Sequence, residues 1–360
     1  MILETNLRIP GPTPLPPSVR EALGRPMINH RGTEFKQLLK SLSSDLKRIF
    51  QTEGDVLLLP ASGTGGLEAA LVNAVAPGDG VLAVSTGFFG ERFATIAETY
   101  GAEVHRLDFP WGQGVDVAAM RQKLAGLPDL KAVLVTHNET STGVTNDLSA
   151  IAAAIHELGP NAPLLLVDAV SSLAAIDLPV DGWGCDIVIT CSQKALMAPP
   201  GLALLSVGTR AWAAIEAKKC RSYYFDLQSV RKRAKEGETP ATPPVSDLFG
   251  LCEGVRLILA EGLPQVFTRH QQVAERMRRG VRDLGLELFP DPRFLSDTVT
   301  AIRLPEADSV RVRLRDEYGV VVAGGQGPLK GQIIRVGHMG YVAERDIDQV
   351  TDALREVIAR

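Results

Sequence analysis

The chain has 360 residues, 45% of them apolar, and its 38 lysines and arginines against 42 acidic residues leave a net charge of −4. This length allows a large domain with a smaller companion, or two comparable domains, and the charge excludes a strongly basic nucleic-acid-binding surface. We find no signal peptide, no apolar stretch long enough for a membrane span and no cysteine spacing typical of zinc or of a disulfide framework, so we expect a cytoplasmic protein without a metal site.

Helical and strand-like patterns alternate as far as Val207. The helices carry apolar residues every three or four positions, whereas the strands are short and almost entirely apolar. In chain order we predict a helix at Glu34–Phe50, a strand at Asp55–Pro60, a helix at Leu67–Val75, a strand at Gly80–Ser85, a helix at Glu91–Tyr100, a strand at Lys131–Thr136, a helix at Leu148–Leu158, and strands at Pro163–Val167, Asp186–Thr190 and Leu202–Val207. Apolar strands joined through helices predict an α/β fold with a mostly parallel sheet buried on both faces.

The pattern changes after Lys218. Residues Arg221–Ser246 are polar and contain several prolines, which predicts a long ordered loop. Beyond it we predict helices at Ser246–Glu261, Leu263–Leu284, Ser309–Tyr318 and Glu344–Ala359, and strands at Thr298–Leu304, Val320–Ala323 and Ile333–Val336. We therefore expect a large domain at residues 15–255 and a small α+β domain at residues 256–360, with residues 1–14 packing on the small domain.

A glycine-rich turn, ASGTGGLE at Ala61–Glu68, lies between a predicted strand and a predicted helix. Small residues let backbone N–H groups approach a ligand closely, and a helix N-terminus favours an anion. Thr64 adds a hydroxyl donor, although the same sequence also suits an ordinary tight turn. A dinucleotide fingerprint would need a third glycine where Glu68 stands, and no Walker-type lysine follows.

Two charged residues follow apolar strands. Asp168 ends LLLVD, where open α/β sheets bind ligands, although a carboxylate there can also cap a helix. Lys194 follows DIVITCSQ, and a partly desolvated lysine is a nucleophile, although a lone lysine also suits the surface. Together with the turn they supply what pyridoxal 5′-phosphate (PLP) needs: an anion site, a carboxylate for the ring nitrogen and an amine for the aldehyde. The set predicts a PLP enzyme with a Schiff base at Lys194.

Five segments carry a family resemblance: SGTGGLEAALVNAVAPGD, THNETSTGV, LLLVDAVSS, SQKALMAPPG and GGQGPLKGQIIRVGHMG. In this order they resemble the class V aminotransferases, and within them the alanine–glyoxylate and serine–glyoxylate aminotransferases. The resemblance covers essentially the whole chain. It implies a fold-type-I PLP enzyme, with a mostly parallel seven-stranded sheet in the large domain and a small C-terminal α+β domain.

The resemblance also implies cofactor contacts, residue by residue. Lys194 resembles the Schiff-base lysine and Asp168 the partner of the pyridine nitrogen. The further cofactor-binding residues it implies are Thr64, Gly65 and Gly66 in the phosphate turn, Gln193 beside the phosphate, Thr140 near the phenolic oxygen and Phe89 on the ring face. Phe89 stands where the family usually has tryptophan, so it keeps an apolar face and loses the indole N–H. Gly66 stands where the family often has histidine.

Two more residues concern the substrate and the assembly. Arg335 resembles the arginine that grips the substrate carboxylate, for which a planar fork of donors is suited. Thr242 resembles a phosphate contact contributed by a neighbouring subunit, which implies a homodimer with the active site at the interface. At Thr239 the family often has a tyrosine, whose reach a threonine lacks.

We therefore expect a PLP-dependent aminotransferase that moves an amino group from a small amino acid, alanine or serine, to an oxo acid such as glyoxylate or pyruvate. No nucleic-acid or membrane partner is expected. A PLP-dependent lyase or cysteine desulfurase is disfavoured because Phe89 replaces the stacking histidine and no cysteine follows Cys252. A nicotinamide oxidoreductase is disfavoured by the incomplete fingerprint. A non-catalytic family member that acts as a subunit is disfavoured because the catalytic set is complete.

Overall fold

The structure is a computed structural model that describes residues 5–359. Its strands are β1 Asn6–Arg8, β2 Asp55–Pro60, β3 Gly80–Ser85, β4 Glu103–Asp108, β5 Leu130–Thr136, β6 Asn138–Glu139, β7 Val144–Thr145, β8 Leu164–Asp168, β9 Ile187–Cys191, β10 Leu202–Val207, β11 Glu287–Leu288, β12 Val299–Arg303, β13 Val320–Gly324 and β14 Ile333–Gly337. Its helices are α1 Pro17–Leu23, α2 Thr33–Phe50, α3 Gly63–Ala74, α4 Phe88–Thr99, α5 Val117–Ala125, α6 Leu148–His156, α7 Thr209–Glu216, α8 Leu227–Lys235, α9 Val245–Glu261, α10 Leu263–Asp283, α11 Ala307–Tyr318 and α12 Glu344–Ile358. No helix within residues 5–359 combines the length and apolar character that a bilayer crossing requires.

A seven-stranded sheet in the order β2-β10-β9-β8-β5-β3-β4 forms the centre of the large domain. Neighbouring strands from β9 to β4 are parallel, and β10 runs antiparallel to both of its neighbours. Every residue of β8, β9 and β10 is buried, because helices cover both faces of the sheet. The predicted α/β fold with a mostly parallel seven-stranded sheet is confirmed.

Seven elements of the large domain were not predicted: strands β4, β6 and β7 and helices α1, α5, α7 and α8. Strand β4 was not predicted, because its sequence EVHRLD mixes polar and apolar residues, all of them exposed or half-buried, as is usual at a sheet edge. The long loop predicted at Arg221–Ser246 contains helix α8. Asp226 caps this helix by accepting the backbone N–H groups of Gln228 and Ser229, and its apolar residues Leu227 and Val230 are buried. A capped helix with so few apolar residues has a weak sequence pattern.

A five-stranded sheet in the order β1-β13-β14-β12-β11 forms the second unit. Strand β1 pairs parallel to β13, so the N-terminal segment joins a sheet built from the C-terminal part of the chain. Helices α10, α11 and α12 contribute to an apolar core against this sheet. Helix α9 runs unbroken across the predicted boundary at residues 255 and 256, so the exact division into domains stays a prediction.

The direction of the strands decides where the site forms. The carboxyl ends of β2, β3, β5, β8 and β9 all lie at one edge of the large sheet. The segments that leave these ends contain the glycine-rich turn, Asp168 and Lys194. In an open α/β sheet ligands bind at this edge.

Candidate active site

A cavity of about 160 Å³ lies at the carboxyl edge of the large sheet. One ordered water needs only ~10–15 Å³ of such space, so this cavity has room for an organic ligand. Six of the residues predicted for the site line it: Thr64, Phe89, Thr140, Asp168, Gln193 and Lys194. Within residues 5–359 no group of His, Cys, Asp and Glu side chains is arranged to hold a metal ion.

Lys194 lies three residues beyond β9, with its amine covered by the N-terminal segment. Its Nζ donates a hydrogen bond to the carbonyl of Pro10. A Cβ on Gly11 would come within 2.5 Å of Nζ, so this close approach requires a glycine, which also has a φ of +131°. Burial lowers the pKa of Lys194 below its ordinary value, and the nearby Arg335 lowers it further. A lysine in this setting is more readily available as the neutral, nucleophilic amine.

Asp168 is the last residue of β8 and is buried. Its Oδ1 accepts the backbone N–H of Val170 at 2.9 Å, and Oδ2 has no hydrogen-bond partner among residues 5–359. Burial raises the pKa of Asp168 to about 7. A buried carboxylate with one free oxygen beside a cavity is suited to a cationic N–H group, which would favour its charged form.

Of the three residues predicted for the phosphate turn, Thr64 lines the cavity and Gly65 and Gly66 do not. A Cβ on Gly66 would come within 2.7 Å of Ile189 Cγ2, so Gly66 faces the sheet and has no room for the histidine often found in the family. A Cβ on Gly65 would meet Ala61 at 2.9 Å, and the Gly65 N–H donates to Ser62 Oγ at 3.3 Å. Neither glycine lines the cavity. Their assignment to the phosphate stays a prediction.

The part of the turn that does line the cavity is Ser62–Thr64. Ser62 is the N-cap of α3, and Gly63 and Thr64 form its first turn. A Cβ on Gly63 would lie 2.7 Å from Val170 Cγ2, so the turn closes tightly on the segment after β8. Ser62 and Gly63 were missed by the sequence reasoning, although their place at the helix N-terminus was the available signal.

Gln193 contributes an amide to the same cavity. Its Oε1 is buried without a hydrogen-bond partner among the described residues. A buried amide group without a partner is costly, so it indicates a ligand that completes its hydrogen bonds.

Glu139 joins the start of α4 to the turn that carries Thr140. Its Oε2 accepts the N–H groups of Phe89 and Gly90 at 2.9 and 3.1 Å, and its Oε1 accepts the N–H and hydroxyl of Ser141 at 3.0 and 2.6 Å. Burial raises the pKa of Glu139, although these donors favour the carboxylate. The contact positions the Phe89 ring, and it was missed because the two segments are far apart in sequence.

Arg92 lies one helical turn after Phe89 and also lines the cavity. Its guanidinium carbon lies 4.9 Å from the centre of the Phe89 ring, and its Nη1 donates to Thr64 Oγ1 at 3.2 Å. Arg92 therefore ties the ring to the turn at Ser62–Thr64. The i, i+3 spacing in FFGER was the signal for it.

Asn138, which lines the cavity, was also missed. Its Nδ2 donates to Ser171 Oγ and Thr298 Oγ1 at 2.8 and 2.9 Å, and its Oδ1 accepts the hydroxyl of Ser296 at 2.6 Å. The network links the cavity wall to the segment that precedes β12 in the small sheet.

Arg335 reaches the site from β14 of the small sheet. It is buried, and burial lowers its pKa to about 10, so the guanidinium stays charged at neutral pH. Its Nε donates to Gly324 O at 2.8 Å, and its Nη1 donates to Thr140 O and Gln326 Oε1, both at 3.0 Å. Arg335 does not line the cavity itself, but it is held against Thr140, which does.

Thr242 is exposed in the segment between α8 and α9 and does not line the cavity of its own chain. The Thr239 hydroxyl donates to Ala241 O at 2.7 Å. Contact between Thr242 and a second subunit stays a prediction.

Known proteins match this chain over most of its length. The model of the family described as Aminotransferase class-V matches residues 18–350. A Synechococcus protein named soluble hydrogenase, small subunit, is 41% identical over 98% of this chain and 92% of its own length. The L-aspartate–glyoxylate aminotransferase of Paracoccus denitrificans is 36% identical over 96% of this chain and 88% of its own length. The crystal structure of a Nostoc alanine–glyoxylate aminotransferase superimposes with a TM-score of 0.95 at 32% identity, covering 99% of this chain and 96% of that one.

Proposed function

Because this chain belongs to the class V aminotransferases, we propose that it moves the amino group of a small amino acid, alanine or serine, to an oxo acid such as glyoxylate or pyruvate. The transaminase class follows from the family. The substrates are inferred from relatives named for glyoxylate and for alanine, serine or aspartate. The observation that carries the proposal is the convergence of Lys194, Asp168 and the Ser62–Thr64 turn on one cavity.

The residues of the cavity fit PLP, the cofactor of this family. The free Oδ2 of Asp168 suits the ring nitrogen. The buried amide oxygen of Gln193 has no hydrogen-bond partner among the described residues, which indicates that a ligand completes the hydrogen bonds of this side chain. The first turn of α3 suits the phosphate, and the apolar face of Phe89 suits the ring. When bound, the cofactor supplies an aldehyde that combines with amines and a ring that accepts electrons.

The protein groups then have separate tasks. Lys194 Nζ would move a proton from the substrate Cα to the aldehyde carbon of the cofactor in the first half of the reaction, and from that carbon to the Cα of the oxo acid in the second half, for which its lowered pKa is suited. Asp168 holds a negative charge against a cationic nitrogen. Arg335 binds the α-carboxylate of the amino acid and of the oxo acid in turn.

Substitution of Lys194 tests the assignment. Purified holoenzyme should transfer amino groups in a matrix of donors and acceptors, and borohydride should link the cofactor covalently to the chain. Lys194→Ala should abolish both, since no other amine is available in the cavity lining. Lys131→Ala, at an exposed position of β5, is the matched control and should keep both. Wild-type turnover by Lys194→Ala would overturn the proposal.

A second subunit is part of the proposal. We infer a homodimer in which Thr242 of each chain reaches the phosphate site of the other, because Thr242 is exposed and does not line its own cavity. Dilution that dissociates the dimer should then release cofactor, and a monomer that retains PLP would contradict the inference.

One observation favours the non-catalytic alternative: the match to a protein named as a hydrogenase subunit. The cavity nevertheless retains Lys194, Asp168 and Gln193. The transaminase assay on the isolated chain separates the two functions. A desulfurase has less support, since no cysteine is among the cavity residues and burial raises the pKa of Cys191 to about 12.

A further inference from the structure

The hydrogen bonds of Arg335 leave little of its guanidinium free. Nε is used by the carbonyl of Gly324, and Nη1 is shared between the carbonyl of Thr140 and Oε1 of Gln326. A guanidinium has five N–H donors, one on Nε and two on each Nη. Only the donors of Nη2 have no partner among residues 5–359.

A bidentate grip on a carboxylate needs two neighbouring nitrogens of the guanidinium. Either pair that includes Nη2 also needs Nε or Nη1, and both are already occupied. A substrate carboxylate must therefore displace one of three acceptors. Two of them are backbone carbonyls: Gly324 ends β13 and Thr140 lies in the turn held by Glu139, so moving either disturbs ordered structure. The third acceptor is the end of a side chain.

We propose that Gln326 is this displaceable acceptor and sets the affinity of the site for α-carboxylates. The inference rests on the proposed function of Arg335 as the carboxylate-binding residue. Gln326 is partly exposed and precedes the short helical turn Gly327–Leu329, so its side chain can rotate away without loss of core packing. Because its amide is neutral, it keeps the arginine oriented and competes only weakly with a charged ligand.

The chemistry predicts opposite effects for two substitutions. In Gln326→Leu the competing acceptor is absent and Nη1 is available at once, so a carboxylate should bind more tightly. In Gln326→Glu the new carboxylate pairs with Arg335 and repels the ligand, so binding should weaken strongly. Simple loss of local structure would weaken binding in both variants.

The experiment uses the holoenzyme and 2-methylalanine, which has the amine and carboxylate of an amino acid but no Cα hydrogen and so is not turned over. Its Kd is read from the change in cofactor absorbance on titration. We expect Gln326→Leu to lower this Kd roughly five-fold, as for one ordinary hydrogen bond, and Gln326→Glu to raise it at least about fifty-fold. Gln332→Leu, an exposed position after the same turn, is the matched control and should leave Kd unchanged.

Two results would overturn the inference: a Kd that is unchanged or higher in Gln326→Leu, or a Kd equal to that of the wild type in Gln326→Glu. Arg335→Gln shows whether the underlying function holds. If it weakens binding while the Gln326 variants have no effect, only the role of Gln326 is wrong. If it leaves Kd unchanged, Arg335 does not bind the carboxylate and the inference is wrong with it.

Discussion

The two ends of the active site are built in different ways. At the proposed cofactor end, the Ser62–Thr64 turn, Asp168 and Lys194 lie at or just beyond the carboxyl ends of strands of one sheet. At the proposed substrate end, Arg335 projects from the small sheet and donates to the carbonyls of Gly324 and Thr140 and to the side chain of Gln326. The first arrangement is rigid because the buried sheet determines it. The second can rearrange, which suits a site that must bind two substrates in turn.

The largest effect is expected from a bulky side chain at the cofactor end, where helix α3 packs against the large sheet. Gly66→Val would place a side chain where even a Cβ lies 2.7 Å from Ile189 Cγ2 and 3.1 Å from Ala203 Cβ. We expect a loss of about 3 kcal/mol in the free energy of unfolding, measured by urea denaturation. Gly126→Val, at an exposed helix end where a Cβ has only one neighbour at 3.5 Å, should lose less than about 1 kcal/mol. Equal losses in the two variants would mean that Gly66 does not face the sheet.

At the small-sheet end we expect the free energy of unfolding to depend on pH through His270. His270 Nδ1 donates to Val266 O at 2.7 Å and Nε2 accepts the N–H of Gly340 at 2.9 Å, which requires the neutral ring. Burial, and to a lesser extent the neighbouring Arg269, lowers the pKa of His270 to about 3. A Cβ on Gly340 would lie 3.1 Å from Lys194 O, so this turn packs against the catalytic segment.

The lowered pKa determines the sign of the effect. Between pH 6.5 and about 3 the unfolded chain binds a proton at position 270 that the folded chain does not, so stability falls as the pH falls. From pH 6.5 to 5 this amounts to about 2 kcal/mol. Gln at this position can make both hydrogen bonds without titrating, so the His270→Gln variant should lose about 2 kcal/mol less than wild type between pH 7.5 and 5. Parallel stability curves would contradict this, since all other titrating groups are shared.

The smallest expected effect is on cofactor affinity and concerns the hydroxyl of Thr64. Thr64→Ala removes the hydroxyl that accepts from Arg92 and faces the cavity. We expect cofactor affinity to fall roughly five-fold, which is about 1 kcal/mol, in a PLP titration of the apoenzyme followed by absorbance. Thr64→Ser keeps the hydroxyl and should bind PLP like wild type. If both variants bind equally well, the hydroxyl makes no contribution.

Much of the fold and the family could be predicted because their signals are local. The all-apolar strands predicted the buried parallel sheet, and the carboxyl ends of β8 and β9 placed Asp168 and Lys194 at one edge. The fold class, the class V family and the transaminase class are confirmed. Strand β4 and helix α8 were missed because neither has a clear apolar pattern.

The orientation of each side chain required the tertiary structure. Which residues of ASGTGG face the cavity depends on how α3 packs on the sheet, and Ile189 and Ala203 lie too close to Gly66 for it to be one of them. The hydrogen bonds between Glu139 and Phe89 and between Arg92 and Thr64 join residues 50 and 28 positions apart, and no local pattern indicates these partners.

Periodicity and strand ends were therefore enough to predict the sheet, the edge at which ligands bind and the lysine and aspartate placed there. The hydrogen bonds that orient the Phe89 ring, and those that occupy Arg335 before a substrate arrives, depend on packing between distant segments. A hydrogen bond forms only when donor and acceptor meet at about 3 Å, and that distance is determined by the folded chain.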